Sequence, residues 1–365
     1  MKPKLREILL TNLEDIVKTI SDNPKIDKSY WSEVFVNCIE PYIKTLRDVN
    51  RVINTFQFRY KILYEETAIE DMVALTTIEV LEPQLYQWIS RNKDLLCSTY
   101  FHSFSALYRN KSDYRTSICE ELKKLGINTD IGIKFLSTLF PVFANDIDEC
   151  DYKYTESNIR ETMRVAQKER FDSYFMFDLG GIPVSRYIIN TYINILPLDD
   201  LIDTITKINN NGNIEYFIDE LKSLVDTIPE KRLGLLSSVI LNVLHKFSHN
   251  SQFFMLSAYT KAEFLVYDIM SKINDENERY NLIKNILENI NKEQLGTLAS
   301  FINRIELSHG RLAGKEEPIE KQLITLQHLI DIEPIYVSKI NEITQSEVII
   351  DIRDFHMAFY LWECL

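Results

Sequence analysis

"TLRDVNRVINTFQFRY", residues 45–60, places apolar side chains at helical spacing. This recurrence predicts an amphipathic helix with one buried face, which holds Leu46, Val49, Val52 or Ile53, Phe56 and Tyr60. The outer stripe of the same helix carries Arg47, Arg51 and Asn54, at spacings of four and three. The residues alone leave two interpretations open. Asp48 can pair with Arg47 or Arg51, as on any solvated helix surface, or the stripe can bind a ligand or partner.

The rest of the chain extends the helical pattern in both directions. Short polar breaks such as "NNNGN" separate apolar-periodic segments such as "LDDLIDTITKI" and "LGTLASFINRIEL". The 365 residues include only 9 Gly and 10 Pro, few for the many tight turns of a β-sandwich or a doubly wound α/β fold. We therefore expect a mostly all-α fold in which the later helices stack as hairpins.

The composition excludes several classes of protein. A net charge of −13 argues against general nucleic-acid binding, which needs clustered Lys and Arg. Five widely spaced cysteines without a CxxC pair predict neither a disulfide framework nor a zinc site and favour a cytoplasmic location. We also expect no membrane span, because no apolar run reaches about 18 residues.

Motifs for catalysis are weak throughout. "GRLAGKEEP", residues 310–318, has three residues between its glycines where a phosphate-binding loop needs four, so a surface turn is expected. His245 and His249 lie four apart in "HKFSH" but lack a third metal ligand. The aromatic series Phe171, Tyr174, Phe175 and Phe177 is more typical of a core than of a stacking platform. We predict no catalytic residue and no metal site in this chain.

Several stretches resemble one family. "YIKTLRDVNRVINTFQFRY" resembles the region after the nucleotide-binding core of the KAP family of P-loop NTPases, and "AIEDMVALTTIEVLEPQLYQWI", residues 68–89, looks like that family's helix ending in a Phe/Leu-Glu-Pro-x-Leu-Tyr motif. "RFDSYFMFDLGGIPVS", residues 170–185, is similar to its Phe-Asp-x-Tyr-Phe segment, and "NRIELSHG" and "FYLWE" are weaker matches. The family's Walker A and B motifs precede this region and do not occur in these 365 residues.

The resemblance implies the C-terminal helical region of such an NTPase. The nucleotide-binding core, with its ATP and Mg²⁺, would then lie in a preceding segment or a separate chain, so this chain alone would not be an enzyme. The family's biology implies bacterial anti-phage defence or signalling. We divide the chain into a lid-like helical domain at 1–110, a mixed helical connecting region at 111–190 and a helical array at 191–365.

The resemblance also gives the outer stripe a role. A helix that follows an NTPase core commonly covers the nucleotide, and an arginine on it can sense the γ-phosphate. We expect Arg47 to take this role, with Arg51 as the second candidate and Asn54 as an orienting hydrogen-bond donor. The competing role for this stripe is to hold the lid to the core by salt bridges. The helical array would recognise a protein partner, and an oligomer is possible.

Two other classes of function remain. A stand-alone helical scaffold for protein interactions would have no nucleotide dependence. A nuclease or other effector within the array has no support, since no carboxylate cluster has metal-site spacing. The last segment, "VIIDIRDFHMAFYLWECL", is unusually apolar; it either packs into the body or is the cut-short start of a longer element.

Overall fold

A computed structural model describes residues 1–21, 24–97, 111–147, 156–175, 181–251, 255–312 and 314–365. Within these ranges the regular structure consists of helices, twenty of them α-helical, and contains no strand. The all-α prediction is therefore confirmed. The chain divides into two compact units, Met1–Arg186 (unit 1) and Tyr187–Leu365 (unit 2). The division predicted after residue 110 falls inside unit 1, and the one after residue 190 lies close to the boundary at Arg186.

Unit 1 contains eleven of the helices that the structure describes. They are α1 Pro3–Ile20, α2 Lys28–Val34, α3 Leu46–Leu63, α4 Ile69–Leu81, α5 Pro83–Arg91, α6 Lys93–Leu96, α7 Lys111–Lys124, α8 Thr129–Leu139, α9 Pro141–Asp146, α10 Glu156–Glu161 and α11 Lys168–Phe171. A π-helical turn, Phe35–Ile39, continues α2.

The centre of unit 1 is α4. All ten residues from Ile69 to Ile78 are buried, because α2, α3, α5 and the π-helical turn pack around this helix. A helix that is covered on every side is typical of a domain core. It ends at Leu81 and α5 begins at Pro83, as expected from the effect of a proline on the residue before it.

Unit 2 contains the remaining described helices. They are α12 Arg186–Asn194, whose first residue belongs to unit 1, α13 Leu198–Asn210, α14 Ile214–Ser223, α15 Glu230–Val243, α16 Ala258–Ser271, α17 Glu276–Glu288, α18 Leu295–Ser308, α19 Leu326–Ser346 and α20 Phe355–Cys364.

The helices of unit 2 form two rows. In the first row α13 packs on α15, α15 on α17, and α17 on α19; in the second, α14 packs on α16 and α18 on α20. Glu263 of α16 joins the second row across to α18 by accepting hydrogen bonds from Ser300 and Arg304, both at 3.0 Å. The described helices of unit 2 therefore pack in two rows.

Candidate functional site

The N-terminus of α3 is fixed by a capping box. The Thr45 hydroxyl accepts from the Asp48 amide at 3.2 Å, and the Asp48 carboxylate accepts from the amides of Thr45 (2.8 Å) and Lys44 (3.1 Å). Slight burial acts to raise the pKa of Asp48, but these hydrogen bonds and the charge of Arg51 outweigh it and lower the pKa. Asp48 thus serves the helix end, and no ion pair joins it to either arginine of the stripe within the described ranges.

The predicted stripe lies on the solvent side of α3. Arg47, Arg51 and Asn54 are all exposed. Arg51 donates from Nη2 to the Val80 carbonyl oxygen at 3.0 Å, which satisfies one of the free carbonyl groups at the end of α4. The side chains of Arg47 and Asn54 make no hydrogen bond or ion pair with the residues that the structure describes.

One aromatic and one basic residue continue this surface along the helix. Phe58, 62 % exposed, and the exposed Lys61 follow Asn54 at spacings of four and three. We call Arg47, Arg51, Asn54, Phe58 and Lys61 the outer face of α3. Leu46, predicted to be buried, is 49 % exposed, because as the first residue of α3 it lies at the rim rather than over the core. Val52 and Ile53 are both buried.

A buried arginine fixes the other side of α3. Arg59 is 2 % exposed; its Nε and Nη2 each lie 2.7 Å from a carboxylate oxygen of Glu79 on α4. Nη2 also donates to the Tyr86 hydroxyl at 2.6 Å, and Nη1 to the Tyr174 carbonyl oxygen at 2.7 Å. Such a two-pronged contact holds position as well as charge. One side chain therefore joins α3 to α4, α5 and the segment after α11.

A second buried ion pair lies before α4. The Nη1 of Arg170 is 2.5 Å from the Glu66 carboxylate and 3.1 Å from the Glu66 carbonyl oxygen. The other carboxylate oxygen of Glu66 accepts from the Arg186 amide at 2.7 Å. Glu66, Arg170 and Arg186 are each at most 5 % exposed. The last residue of unit 1 is therefore held by the residues that lead into α4.

A third buried group surrounds Asp71 of α4. Its carboxylate accepts from the Tyr30 hydroxyl and, at 2.7 Å, from the Val165 amide. The Arg164 guanidinium lies 3.6 Å from the centre of the Tyr30 ring and donates to the Thr138 carbonyl oxygen at 3.1 Å. Burial raises the pKa of Asp71 despite the nearby Arg164 charge, and burial also raises the pKa of Glu70 to about 7.

These buried charges hold α4 in position. Each carboxylate is engaged by amides, hydroxyls or guanidinium groups from distant parts of unit 1. Such groups specify one arrangement of helices, while their net contribution to stability is small because desolvation offsets the attraction. The network holds α4 behind α3, and the outer face of α3 is exposed to solvent.

The other motifs noted in the sequence make contacts within unit 2. In the turn that contains Gly310 and Gly314, Arg311 pairs with Glu306 and Glu333, both at 2.7 Å. His249 lies 3.1 Å from the Asp354 carboxylate. Among the described residues no group of three or more His, Cys, Asp or Glu is arranged to hold a metal ion.

The aromatic series belongs to the core of unit 1. Phe171 and Tyr174 are fully buried, and Phe175 packs at a tilt against Tyr86 with ring centres 5.1 Å apart. Phe177 lies outside the described residues. The prediction that these aromatics form core is confirmed for the part that the structure describes.

Sequence reasoning missed the arginines that bind the buried acids. Arg59 falls between Phe56 and Leu63 on the apolar face of α3, and Glu70-Asp71 interrupts an otherwise apolar helix. A charged residue on an apolar helical face signals a buried partner. Not every partner could be identified, because Arg170 and Glu66 are 104 residues apart and Arg59 also donates to Tyr174, 115 residues away.

No protein-family model matches the chain, and no match occurs among curated proteins or solved structures. Among the described helices, none combines the length and apolar character needed to cross a lipid bilayer.

Proposed function

We propose that this chain is the helical regulatory part of a KAP-type P-loop NTPase and that it contacts the nucleotide-binding core through the outer face of α3. The observation that carries the proposal is the contrast between the two sides of this helix. Arg47 and Asn54 are exposed with no side-chain partner in the described residues, while Arg59 anchors the helix from behind. An arginine that faces solvent from a firmly anchored helix is well suited to bind an oxyanion.

In this proposal Arg47 binds the γ-phosphate of ATP held by the core. Its planar guanidinium can donate two parallel hydrogen bonds to phosphate oxygens. Asn54, about two turns further along α3, acts as an orienting hydrogen-bond donor. Loss of the γ-phosphate on hydrolysis removes this contact and releases α3. Because Arg51 holds the end of α4 and Arg59 holds Glu79, α4 would move with α3. The array of unit 2 then recognises a protein partner, in a bacterial defence or signalling system.

Cross-linking from the outer face tests this proposal. A photoreactive amino acid replaces Asn54 in cells that naturally produce the protein, and a control places it at Asp15 on the exposed side of α1. We expect position 54, and not position 15, to cross-link to a P-loop NTPase core with the motif GxxxxGK[ST]. If the captured partner lacks this motif, or if both positions give the same products, the proposal is wrong.

A second candidate is a stand-alone scaffold that binds a protein without nucleotide. The observation that favours it is the apolar part of the same surface, where Phe58 and Leu46 are 62 % and 49 % exposed. Exposed apolar side chains beside an arginine are typical of protein interfaces. The cross-linking experiment separates the candidates, because a stand-alone scaffold would capture a partner that lacks the GxxxxGK[ST] motif.

A further inference from the structure

The last two helices of unit 2 are held against the array by contacts that include titratable groups. α20 packs on α18, and α19 packs on both α17 and α18. Two of these contacts contain a histidine, the side chain that ordinarily changes its charge between about pH 5 and 8. A third contact is a pair of carboxyl groups between α18 and α19. We call α19 and α20 together the cap.

The first contact joins the segment after α15 to the residue before α20. The Nε2 of His249 lies 3.1 Å from the Asp354 carboxylate, and the His249 ring stacks on that of Tyr259 with centres 4.0 Å apart. The same oxygen of Asp354 is buried and accepts no hydrogen bond of normal geometry from the described residues. A positive charge on His249 therefore offsets the burial of this carboxylate, and a neutral His249 does not.

The second contact joins the start of α17 to the start of α19. The Nδ1 of His328 lies 2.6 Å from a Glu276 carboxylate oxygen that also accepts from the Thr325 amide at 2.8 Å. The His328 ring stacks on that of Tyr280 with centres 4.0 Å apart. Burial acts to raise the pKa of Glu276, but the bonds from His328 and Thr325 outweigh it and lower the pKa. Glu276 therefore keeps its negative charge above about pH 5.

The third contact links α18 to α19 through Arg311. Its guanidinium lies 2.7 Å from the carboxylates of Glu306 on α18 and of Glu333 on α19. Glu306 is fully buried. Burial, and to a lesser extent Glu333, raise the pKa of Glu306 to about 7 against the opposing charge of Arg311. Because this pKa lies above the ordinary value of 4.5, loss of the proton weakens the packing around Glu306.

The other charged groups near the three contacts do not oppose this trend. Burial lowers the pKa of His245, in the same segment as His249, and so disfavours a charge there. The Nε2 of His309 lies 2.9 Å from the Ile324 carbonyl oxygen, a contact that both the neutral and the charged ring can make. The basic side chains nearby, which keep their charge above pH 8, are Arg279, Lys284, Arg304 and Arg353.

We propose that the cap is a pH-sensitive switch, which is held against the array at about pH 6 and opens more often at about pH 8. The sign is the same at all three contacts. A charged histidine attracts Asp354 or Glu276, and this attraction is lost as the histidine releases its proton. Ionisation of Glu306 opposes the packing of α19 over the same range. Opening uncovers α18, which both helices of the cap contact. The switch lies within unit 2 and does not depend on the proposed role of the outer face of α3.

Hydrogen exchange of the full chain, followed by mass spectrometry, tests the switch. Protection factors correct the exchange rates for the pH dependence of the exchange chemistry itself. We expect the protection factors of α19 and α20 to be at least about fivefold lower at pH 8 than at pH 6. At pH 8 they should also be at least about tenfold lower than those of α15, because the cap opens without unfolding of the array.

Substitutions at the three contacts assign the effect. His249→Gln removes the charge next to α20, and His328→Gln removes the charge in α19. Each should lower the protection of its helix at pH 6 to about the wild-type level at pH 8 and change it little at pH 8. Glu306→Gln resembles the protonated acid and should raise the protection of α19 at pH 8. The matched control His356→Gln alters an exposed histidine of α20 itself and should follow wild type at both pH values.

The contradicting results are distinct. Protection of the cap that does not change with pH, or that rises towards pH 8, refutes the switch. Protection of α19 and α20 equal to that of α15 means that the cap does not open on its own and also refutes it. A pH dependence that persists in both histidine variants shows that these contacts are not its source. Circular dichroism confirms that each variant folds, and the two histidines belong to separate contacts, so the failure of one variant leaves the other as the test.

Discussion

At the residue scale, the arginines on the two faces of α3 differ in how much their removal should destabilise the fold. Removing Arg59 leaves Glu79 without its two-pronged partner and frees the Tyr86 hydroxyl and the Tyr174 carbonyl oxygen. We expect Arg59→Ala to lower the free energy of unfolding by about 3 kcal/mol, because breaking a largely buried ion pair strands its partner. Arg47→Ala, on the exposed side, should change it by less than about 0.5 kcal/mol. Urea denaturation measures both, and equal losses would contradict the assignment of the two faces.

A buried glutamate in unit 2 predicts a pH dependence. Burial, and to a lesser extent Glu333, raise the pKa of Glu306 to about 7 against the opposing charge of Arg311. The folded chain therefore holds a proton that the unfolded chain releases near its ordinary pKa of 4.5. The stability contributed by Glu306 is present below that value and is lost as the pH rises towards 7.

Glu306→Gln tests this dependence. Glutamine resembles the protonated acid, so the variant should match wild type near pH 5 and exceed its free energy of unfolding at pH 8, by an amount on the order of 2 kcal/mol. Urea denaturation at several pH values gives the difference. Glu320→Gln, at an exposed position, is the control and should show no such trend. A difference between Glu306→Gln and wild type that is the same at every pH would refute the prediction.

At the element scale, close packing of two helices depends on a single glycine. A Cβ atom on Gly296 of α18 would lie 2.3 Å from the Arg353 carbonyl oxygen and 2.8 Å from that of Asp354, just before α20. Since these are backbone atoms, Gly296→Ala should lower the free energy of unfolding by about 2 kcal/mol. At Gly234 of α15 the nearest atom lies 3.8 Å away, and Gly234→Ala should raise it by about 0.5 to 1 kcal/mol. Thermal unfolding distinguishes the opposite signs, and a shift in the same direction for both would contradict the prediction.

The elements themselves could largely be predicted from the sequence. Apolar periodicity predicted the buried face of α3, and the proline at position 83 predicted the end of α4. The error at Leu46 arose because periodicity identifies a face but not where along the helix the core stops covering it. The buried pairs of Arg59 with Glu79 and Arg170 with Glu66 could not be predicted, since they join residues that only the folded chain brings together. The exposure of the outer stripe of α3 could also be predicted, because residues opposite the buried face recur with the same helical period.

At the scale of the whole molecule, this chain in the absence of an NTPase core should not hydrolyse ATP. We expect purified 1–365 to show no ATP turnover and at best very weak nucleotide binding, because Arg47 and Asn54 would form only one side of a site that the NTPase core completes. Isothermal titration calorimetry with ATP and Mg²⁺ measures the affinity. Binding with a Kd of about 1 µM would mean that the chain carries a nucleotide site of its own and would contradict this account.

The measurement that tests the central claim most directly is the ATPase rate of the complex between this chain and its NTPase core. Arg47→Ala should lower the rate at least about tenfold, and Arg47→Lys should restore little of it, because lysine lacks the planar fork that binds phosphate. Lys123→Ala removes a charge from an exposed position of α7, outside the outer face of α3, and serves as the control, with an unchanged rate expected. If Arg47→Ala leaves the rate unchanged while the complex stays intact, the outer face of α3 does not sense the nucleotide.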